Sequence, residues 1–290
     1  MTLPSMLRLL VLSMIWGSSY IFFKIAVLEI PAPMLAWLRA VFGALFLGGL
    51  LFAFGTQTKI KSQWKVIALV AVFASALPFV LFAYASKTVT ASMLVILNAT
   101  SPIWAAIFNT LWKRRLPKAL AILGLMVGLL GVTFIVGHNI SEIQVDGIAL
   151  GILAGLMGSA SYGVASNIAL GIGKGLDPMT NALGCLVLGT VLLAPLAPFN
   201  LPAAMPGLHA IASTVAVGVL CSGLAYMIYF KLVRDIGPIS ALTVTFLTPV
   251  FGILWSHLFL GEAITWHTLA GGITVVAGTV LVASNSSPSD

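Results

Sequence analysis

Two basic residues, Lys24 and Arg39, lie inside long apolar stretches of the sequence. A charged group in such surroundings either extends to a polar boundary or binds a compensating anion. Trp16, Tyr20 and Lys24 are spaced by four residues, so that they share one face of a helix. Arginine binds a carboxylate through two parallel hydrogen bonds, which makes Arg39 the better partner for one. The sequence therefore offers two candidate cations for binding an anionic ligand.

Aromatic and polar side chains in the same stretches form a second group of candidates. Aromatic rings suit an amphipathic or aromatic ligand, although many such rings pack in cores or anchor helices at membrane interfaces. Asn98 and Thr245 precede Pro102 and Pro249 by four residues, and a proline within a helix leaves the carbonyl at that position without its usual donor. With the two cations, the candidate substrate-binding residues are Trp16, Tyr20, Lys24, Arg39, Phe82, Tyr84, Asn98, Trp104, Tyr162, Tyr226 and Thr245.

The composition places these residues in a membrane. Of 290 residues only 7% are charged, whereas 60% are hydrophobic, and soluble domains carry about 25% charged residues. The mean hydropathy is +1.12. A soluble enzyme, a secreted domain and a disordered chain are disfavoured, because their surfaces need more polar groups. The net charge of +7 does not indicate nucleic-acid binding, since the basic residues lie between apolar runs.

Ten apolar stretches are long enough to cross a bilayer as helices. The linkers between them are too short to fold as domains, so we expect an all-α polytopic membrane protein. The predicted spans are 6–26, 34–54, 65–86, 91–112, 119–137, 147–170, 179–199, 209–231, 239–260 and 266–284.

The charges between the spans predict the orientation. If the N-terminus is cytoplasmic, 11 of the 14 basic residues face the cytoplasm, and only Lys87 lies in a loop on the opposite side. Such a bias is typical of the cytoplasmic side of membrane proteins. An even number of spans then places both termini in the cytoplasm.

The sequence contains an internal repeat. A shift of 147 residues aligns Pro102 with Pro249, Gly124 with Gly271 and Gly131 with Gly278. Each repeat has five spans, an odd number, so the second copy is expected to be inverted in the membrane. We expect one membrane domain of two inverted five-helix repeats, residues 1–140 and 141–285, followed by a disordered tail at 286–290.

Two features of the repeats suggest movement. Pro102 and Pro249 lie near the middle of their spans among polar residues, which is expected either of a simple kink or of a helix break that lines a pathway and takes part in gating. Small residues recur every four positions in span 6, and such stripes allow close helix packing, either static or sliding. The stripe consists of Gly147, Gly151, Gly155, Ser159 and Gly163.

These motifs resemble the drug/metabolite transporter superfamily, in its ten-span EamA-type exporter branch. The resemblance covers essentially the whole chain. It rests on Trp16 to Tyr20 with Lys24, on Pro33 with Leu38 and Arg39, on Leu247 to Phe251, on Leu258 to Glu262, and on Gly271, Gly272 and Gly278. It departs from the family pattern at Arg115, where the first repeat would carry a glutamate. The resemblance implies an exporter of amino acids or other small metabolites in a bacterial inner membrane.

The acidic residues lie in predicted loops, at helix ends or in the tail, whereas ion-coupled carriers commonly place a carboxylate inside the membrane. We therefore expect alternating-access export through a central cavity, with weak or no obligatory ion coupling. The expected partners are a small-molecule substrate and the lipid bilayer, with no catalytic residue, metal, cofactor, nucleic acid or obligatory protein partner. Alternatives are a nucleotide-sugar or phosphorylated-sugar transporter, which would need more buried cations, and, ranked lower, a membrane-embedded enzyme.

Overall fold

The computed structural model describes residues 2–114, 119–142, 147–173, 175–236, 241 and 244–284. Arg115, Lys118, Asp146, Lys174 and the predicted tail at 286–290 lie outside the described residues, so the expectations attached to them stay predictions. For residues 113, 135–142, 230, 283 and 284 the structure describes the backbone and not the side chain.

The described residues form helices joined by short connections and include no strand. The ten helices are α1 Leu3–Ala26, α2 Ala32–Ala53, α3 Ile60–Ala85, α4 Ala91–Trp112, α5 Ala119–Glu142, α6 Ile148–Leu170, α7 Pro178–Leu196, α8 Leu208–Ile236, α9 Val244–Leu260 and α10 Trp266–Ser284. Seven are long and apolar enough to cross a membrane, and α5, α9 and α10 contain the shorter apolar helices Ala119–Phe134, Val244–Leu260 and Trp266–Val282.

The predicted all-α architecture is confirmed, and the predicted bounds differ from the observed ones mainly where a helix continues into polar sequence. Helix α3 begins at Ile60 rather than at residue 65, and α8 ends at Ile236 rather than at residue 231. Each extension carries charge, Lys61 in α3 and both Arg234 and Asp235 in α8. A search for apolar runs stops at such charges, whereas a helix continues through them as long as its backbone hydrogen bonds are made.

The helix packing follows a twofold pattern. Helix α1 packs against α9 and α6 packs against α4, while α3 contacts α6 and α8 contacts α1. Helix α3 also contacts α7, as α8 contacts α2, and α2–α7 and α5–α10 are pairs of equivalent helices. Adding or subtracting five from each helix number in these pairs reproduces the same pairs. The described helices therefore form two sets of five with equivalent main contacts, and the inversion of the second set in the membrane stays a prediction.

Close glycine contacts match across the repeats. A methyl group added at Gly17 in α1 would lie 2.8 Å from the amide nitrogen of Gly252 in α9. One added at Gly163 in α6 would lie 2.7 Å from the amide nitrogen of Ala105 in α4. Ala105 and Gly252 are 147 residues apart. Both helix pairs thus approach closely at equivalent positions, which only glycine permits without displacement.

Helices α3 and α8 each contain a short π-helical stretch. The stretches are Val72–Ala76 and Val219–Leu224, and their first residues are again 147 apart. A π-helical stretch inserts one extra residue into the turn and is frequent at functional sites. The insertion places Ser75 and Ser222 at equivalent positions in the two repeats.

Contacts between loops assign the helix ends to two sides of the molecule. On one side, Arg8 at the start of α1 forms an ion pair with Asp235 at the end of α8. On the other, Glu29 after α1 accepts a hydrogen bond of 2.5 Å from the Gly207 amide before α8, and Glu262 after α9 accepts one of 2.7 Å from the Ala91 amide. We call these the Asp235 side and the Glu262 side. The cytoplasmic location of the termini, on the Asp235 side, stays a prediction.

Candidate functional site

Arg39 lies inside the helical bundle, about 10 Å from the first residue of α2 along the helix axis. Its side chain is 9% exposed, and its guanidinium carbon lies 4.0 Å from the centre of the Phe79 ring in α3 and 5.0 Å from that of Phe23 in α1. Its Nε donates a hydrogen bond of 3.0 Å to Ser222 Oγ in the π-helical stretch of α8. Four helices from both repeats therefore hold one buried cation.

Three tyrosines from separate helices lie near this cation. Tyr20 in α1 is buried, Tyr162 in α6 and Tyr226 in α8 are half-buried, and each is close enough to Arg39 to interact with it electrostatically. The Tyr20 ring meets the edge of Phe82 at 5.8 Å between ring centres, and Phe82 stacks on Tyr162 at 6.1 Å. Rings in these arrangements attract one another. We call Phe23, Arg39, Phe79 and Ser222, with the three tyrosines, the Arg39 site.

Six of the eleven sequence-predicted residues are thus connected. Tyr20, Arg39, Tyr162 and Tyr226 belong to the Arg39 site, Phe82 bridges two of its tyrosines, and the Asn98 side chain lies close to the Tyr20 side chain. This set combines one cation, phenolic hydroxyl groups and aromatic faces. Chemically, it can bind an anionic group at Arg39 and an apolar or aromatic body against the rings.

Lys24 lies apart from this set, at the Glu262 side. Its Nζ donates a hydrogen bond of 2.9 Å to the carbonyl of Val89, in the turn between α3 and α4. The nearby Glu262 accepts hydrogen bonds from the amides of Ala91 and Ser92 and from the Ser92 hydroxyl, at 2.7, 3.0 and 2.7 Å. These contacts cap the start of α4 and tie it to the end of α9. Lys24 therefore holds a helix end in this structure.

The other predicted contact residues have different neighbours. Trp16 packs on Tyr229, with 5.5 Å between ring centres. Tyr84 is 46% exposed and lies beside the Lys87 side chain, while Trp104 stacks on Phe108. Thr245 is half-buried on α9, which packs against α1 and α4. Of these, Tyr84 is the residue whose exposure argues most directly against a place in an internal site.

The two prolines act differently on their helices. Helix α4 is interrupted at residues 99 and 100, and Pro102 lies in the first turn of its second segment, Ser101–Lys113. Helix α9 continues through Pro249 without interruption, so the break predicted for both helices occurs in α4 alone. In α9, the hydroxyl of Thr248 donates to the Val244 carbonyl at 2.8 Å, a bond that satisfies a backbone acceptor within the helix.

Hydroxyl groups satisfy the backbone carbonyls at the α4 break. The Leu97 carbonyl accepts bonds from Thr100 and from Ser159 of α6, both at 2.6 Å. Ser101 donates to the Asn98 carbonyl at 2.7 Å, and Thr279 of α10 donates to the Ala99 carbonyl at 2.9 Å. The break is thus held by side chains of its own helix and of two others, as the kink interpretation of the sequence requires.

The small-residue stripe of α6 packs along α4, from the turn before α4 to its second segment. Methyl groups added at Gly151 and Gly155 would meet Thr88 and Leu97, and Ser159 bonds the Leu97 carbonyl. At its end, Gly163 faces the backbone of Trp104 and Ala105. The first member, Gly147, precedes α6 with φ +89, a conformation that favours glycine. The stripe permits close packing of α6 on α4.

Sequence reasoning missed Phe23, Phe79 and Ser222. The two phenylalanines are indistinguishable from packing residues in an apolar run, and only the fold brings their faces onto the guanidinium. The signal available for Ser222 was its counterpart Ser75, 147 residues earlier. Pairs of polar residues at the repeat distance, within otherwise apolar spans, are the pattern that could have identified it.

Comparison with known proteins agrees with this architecture. A family model, the EamA-like transporter family, matches the chain twice, over residues 3–137 and 147–284. The chain belongs to the EamA family of the drug/metabolite transporters, and is therefore a membrane transporter. The predicted resemblance is confirmed, and the two matches coincide with the two sets of five helices.

Individual relatives extend over nearly the whole chain. It is 26% identical over 282 residues to an uncharacterized transporter of Archaeoglobus fulgidus, covering 94% of this chain and 95% of that protein. It is also 26% identical over 283 residues to the uncharacterized inner membrane transporter YedA of Escherichia coli K12, covering 95% and 89% of the two chains. A solved crystal structure with 15% identity covers 97% of this chain and 96% of its own, with a TM-score of 0.66, and thus shares the fold.

Proposed function

We propose that this transporter exports small metabolites, either amino acids or amphipathic and aromatic compounds, from a bacterial cytoplasm by alternating access. The observation that carries the proposal is the Arg39 site, where a buried cation and three tyrosines converge from helices of both repeats. An interior site at a repeat interface is where secondary transporters bind their substrates. The inner membrane and cytoplasmic termini are part of the proposal.

The equivalent packing of the repeats supports alternating access. Because the main helix contacts of one repeat have counterparts in the other, exchanging the conformations of the two repeats would close one side of the protein and open the other. On the Glu262 side, Lys24 of α1 bonds the Val89 carbonyl before α4, and Glu262 after α9 bonds the start of α4. These hydrogen bonds would have to break for the Arg39 site to open on that side. These contacts support the proposal that one repeat moves against the other around the Arg39 site.

Weak or absent ion coupling is proposed from the positions of the acids. The four whose side chains the structure describes lie at helix ends or in turns. Asp235 pairs with Arg8, Asp177 caps α7 through the Thr180 amide, and Glu29 and Glu262 accept backbone amides. A carboxylate that carries a coupling ion would have to lie in the transport pathway. We therefore expect substrate to move down its own gradient.

The test is a substrate panel in proteoliposomes that contain the purified full chain. Amino acids, aromatic acids and amines, nucleosides and sugars are compared by counterflow, with and without proton and sodium gradients. We expect flux of some of the amino acids or aromatic compounds, unchanged when the gradients are dissipated. Accumulation that collapses with the proton gradient would contradict weak coupling, and absence of flux for the whole panel would contradict the transport proposal.

Replacing Arg39 by glutamine tests the role of the site. Loss of a charge-assisted hydrogen bond costs about 1.5–3 kcal/mol, so kcat/KM should fall roughly 10- to 100-fold. Glutamine keeps polar hydrogen atoms and most of the side-chain volume, and size-exclusion chromatography checks that the variant folds. Tyr84→Phe is the matched control, because Tyr84 is 46% exposed and distant from the site's contacts. Wild-type flux in Arg39→Gln would refute the assignment.

A further inference from the structure

The Arg39 site has a positive charge that the described part of the protein does not neutralise. Among the described residues, no carboxylate forms an ion pair with Arg39. The described acids are engaged at helix ends, by Arg8 or by backbone amides, as set out above. A buried cation without a counter-charge is unfavourable, and in membrane proteins such groups pair with an opposite charge. The missing counter-charge is a single negative one.

The guanidinium retains hydrogen-bond donors for this charge. A guanidinium carries five N–H groups, and the one on Nε is used by Ser222. Within the described residues, the two terminal nitrogens make no further hydrogen bond, and the Phe79 ring lies over the guanidinium. Stacking on the face of the group does not use the N–H donors in its plane. Two parallel N–H groups at that edge match the two oxygens of a carboxylate.

Among the described residues, the surroundings offer hydroxyl groups and aromatic faces to a second, positive group on the same ligand, but no carboxylate. In an α-amino acid, the ammonium group lies on the carbon next to the carboxylate and would be held near Arg39. Carbonyls at the break of α4 already accept hydrogen bonds from hydroxyl groups. The ammonium would therefore be buried beside a like charge with no carboxylate to neutralise it, which is unfavourable.

We infer that the Arg39 site binds organic monocarboxylates that have an aromatic or apolar body and no ammonium group. This inference rests on the proposed function and narrows its substrate class from amino acids and amphipathic compounds in general to acids of net charge −1. The carboxylate neutralises the charge of Arg39, and the apolar body of the ligand packs against Tyr20, Phe82 and Tyr162. A neutral zwitterion of the same size fits the shape and leaves one charge unpaired.

Matched ligands isolate the ammonium group. 3-Phenylpropanoate and L-phenylalanine differ only by that group, and phenethylamine carries the ammonium without the carboxylate. Radiolabelled ligands are bound at equilibrium to the purified full chain in nanodiscs, which avoids leakage of the undissociated acid through lipid. We expect 3-phenylpropanoate to bind at least about tenfold more tightly than L-phenylalanine, and phenethylamine to bind more weakly than either.

The Arg39→Gln variant shows whether the preference comes from the proposed charge. It should lose affinity for 3-phenylpropanoate and bind the two ligands within about threefold of each other, whereas Tyr84→Phe should retain the wild-type preference. Equal or tighter binding of L-phenylalanine to the wild type would overturn the monocarboxylate inference, as would an unchanged preference in Arg39→Gln. Neither result bears on transport itself, which the proteoliposome panel tests separately.

Discussion

Replacing Gly163 by alanine tests whether the close approach of α6 and α4 holds the fold together. The added methyl group would lie 2.7 Å from the Ala105 amide nitrogen and 2.9 Å from the Trp104 carbonyl carbon. Both atoms belong to the α4 backbone, so no side-chain rotation can relieve the contact. Ordinary contact begins at 3.4 Å, and the two helices would have to separate by about 0.7 Å at this point.

The separation also affects a hydrogen bond. Asn167 Nδ2 donates to the Ala105 carbonyl in α4 at 2.9 Å, one turn beyond Gly163. Overpacking costs about 1–3 kcal/mol, and a weakened interhelical hydrogen bond in a membrane protein adds roughly 0.6 kcal/mol. Helix propensity recovers about 0.5–1 kcal/mol, because alanine favours helix over glycine. A net destabilisation of about 0.6–3 kcal/mol follows, which corresponds to a fall in Tm of about 1–12 °C.

The protein has a built-in reporter for this measurement. Cys185 and Cys221 are free thiols, 4% and 1% exposed, so a thiol-reactive fluorophore labels them only when the helices open. Thermal unfolding in detergent is followed by this labelling. The matched control is Gly49→Ala in α2, where an added methyl group meets nothing within 4 Å. The control should leave Tm unchanged or raise it slightly.

The equivalent glycine of the first repeat extends the test. Gly17→Ala places its methyl group 2.8 Å from the Gly252 amide nitrogen and should lower Tm to a similar degree. A Tm of Gly163→Ala equal to that of Gly49→Ala would refute the packing argument. A decrease for one repeat and none for the other would show that the two helix contacts are equivalent in geometry but unequal in stability.

Two further predictions concern hydrogen bonds between helices. Ser222→Ala removes the acceptor that orients Arg39, so the KM for counterflow should rise about three- to tenfold. The control is Ser75→Ala, at the equivalent position, which should leave KM unchanged. Equal effects of the two substitutions on KM would contradict a positioning role for Ser222. Glu262→Gln weakens the cap on α4 and should lower Tm by about 2–6 °C. Glu29→Gln weakens one exposed hydrogen bond to a backbone amide and should lower Tm by less. A larger decrease for Glu29→Gln than for Glu262→Gln would contradict the role of the cap.

The fold was predictable because its strongest determinants are local or periodic. Apolar length determines the helices, and the shift of 147 residues aligns Gly124 with Gly271 and Gly131 with Gly278 as equivalent positions of the two repeats. In the structure, Gly124 faces Gly278 and Gly131 faces Gly271, so each contact is made between different repeats. Helix ends in polar sequence were placed less well, since charges interrupt a hydropathy run without interrupting a helix.

The site was predictable in part, because a lone buried charge is visible in sequence whereas its neighbours are not. Arg39 and Lys24 look alike as single cations in apolar runs, yet one is surrounded by aromatic side chains and the other bonds the Val89 carbonyl. The difference is tertiary. It depends on which helix face each cation occupies and on which turn lies opposite, and neither can be read from spacing within one span.

The two repeats have equivalent packing around Ser222 and Ser75, but within the described part of the chain only the Ser222 position has an arginine beside it. Ser222 and Ser75 occupy equivalent π-helical stretches, and each lies against a glycine of a neighbouring helix, Gly43 for Ser222 and Gly189 for Ser75. The distance of 146 residues between these glycines places Cys185 at the position equivalent to Arg39. Ser75 Oγ is buried and has no hydrogen-bond partner among the described residues, as expected where an arginine is replaced by a small neutral side chain. The scaffold is therefore twofold while its charge is not, and a ligand held at Arg39 is bound by one repeat more than by the other.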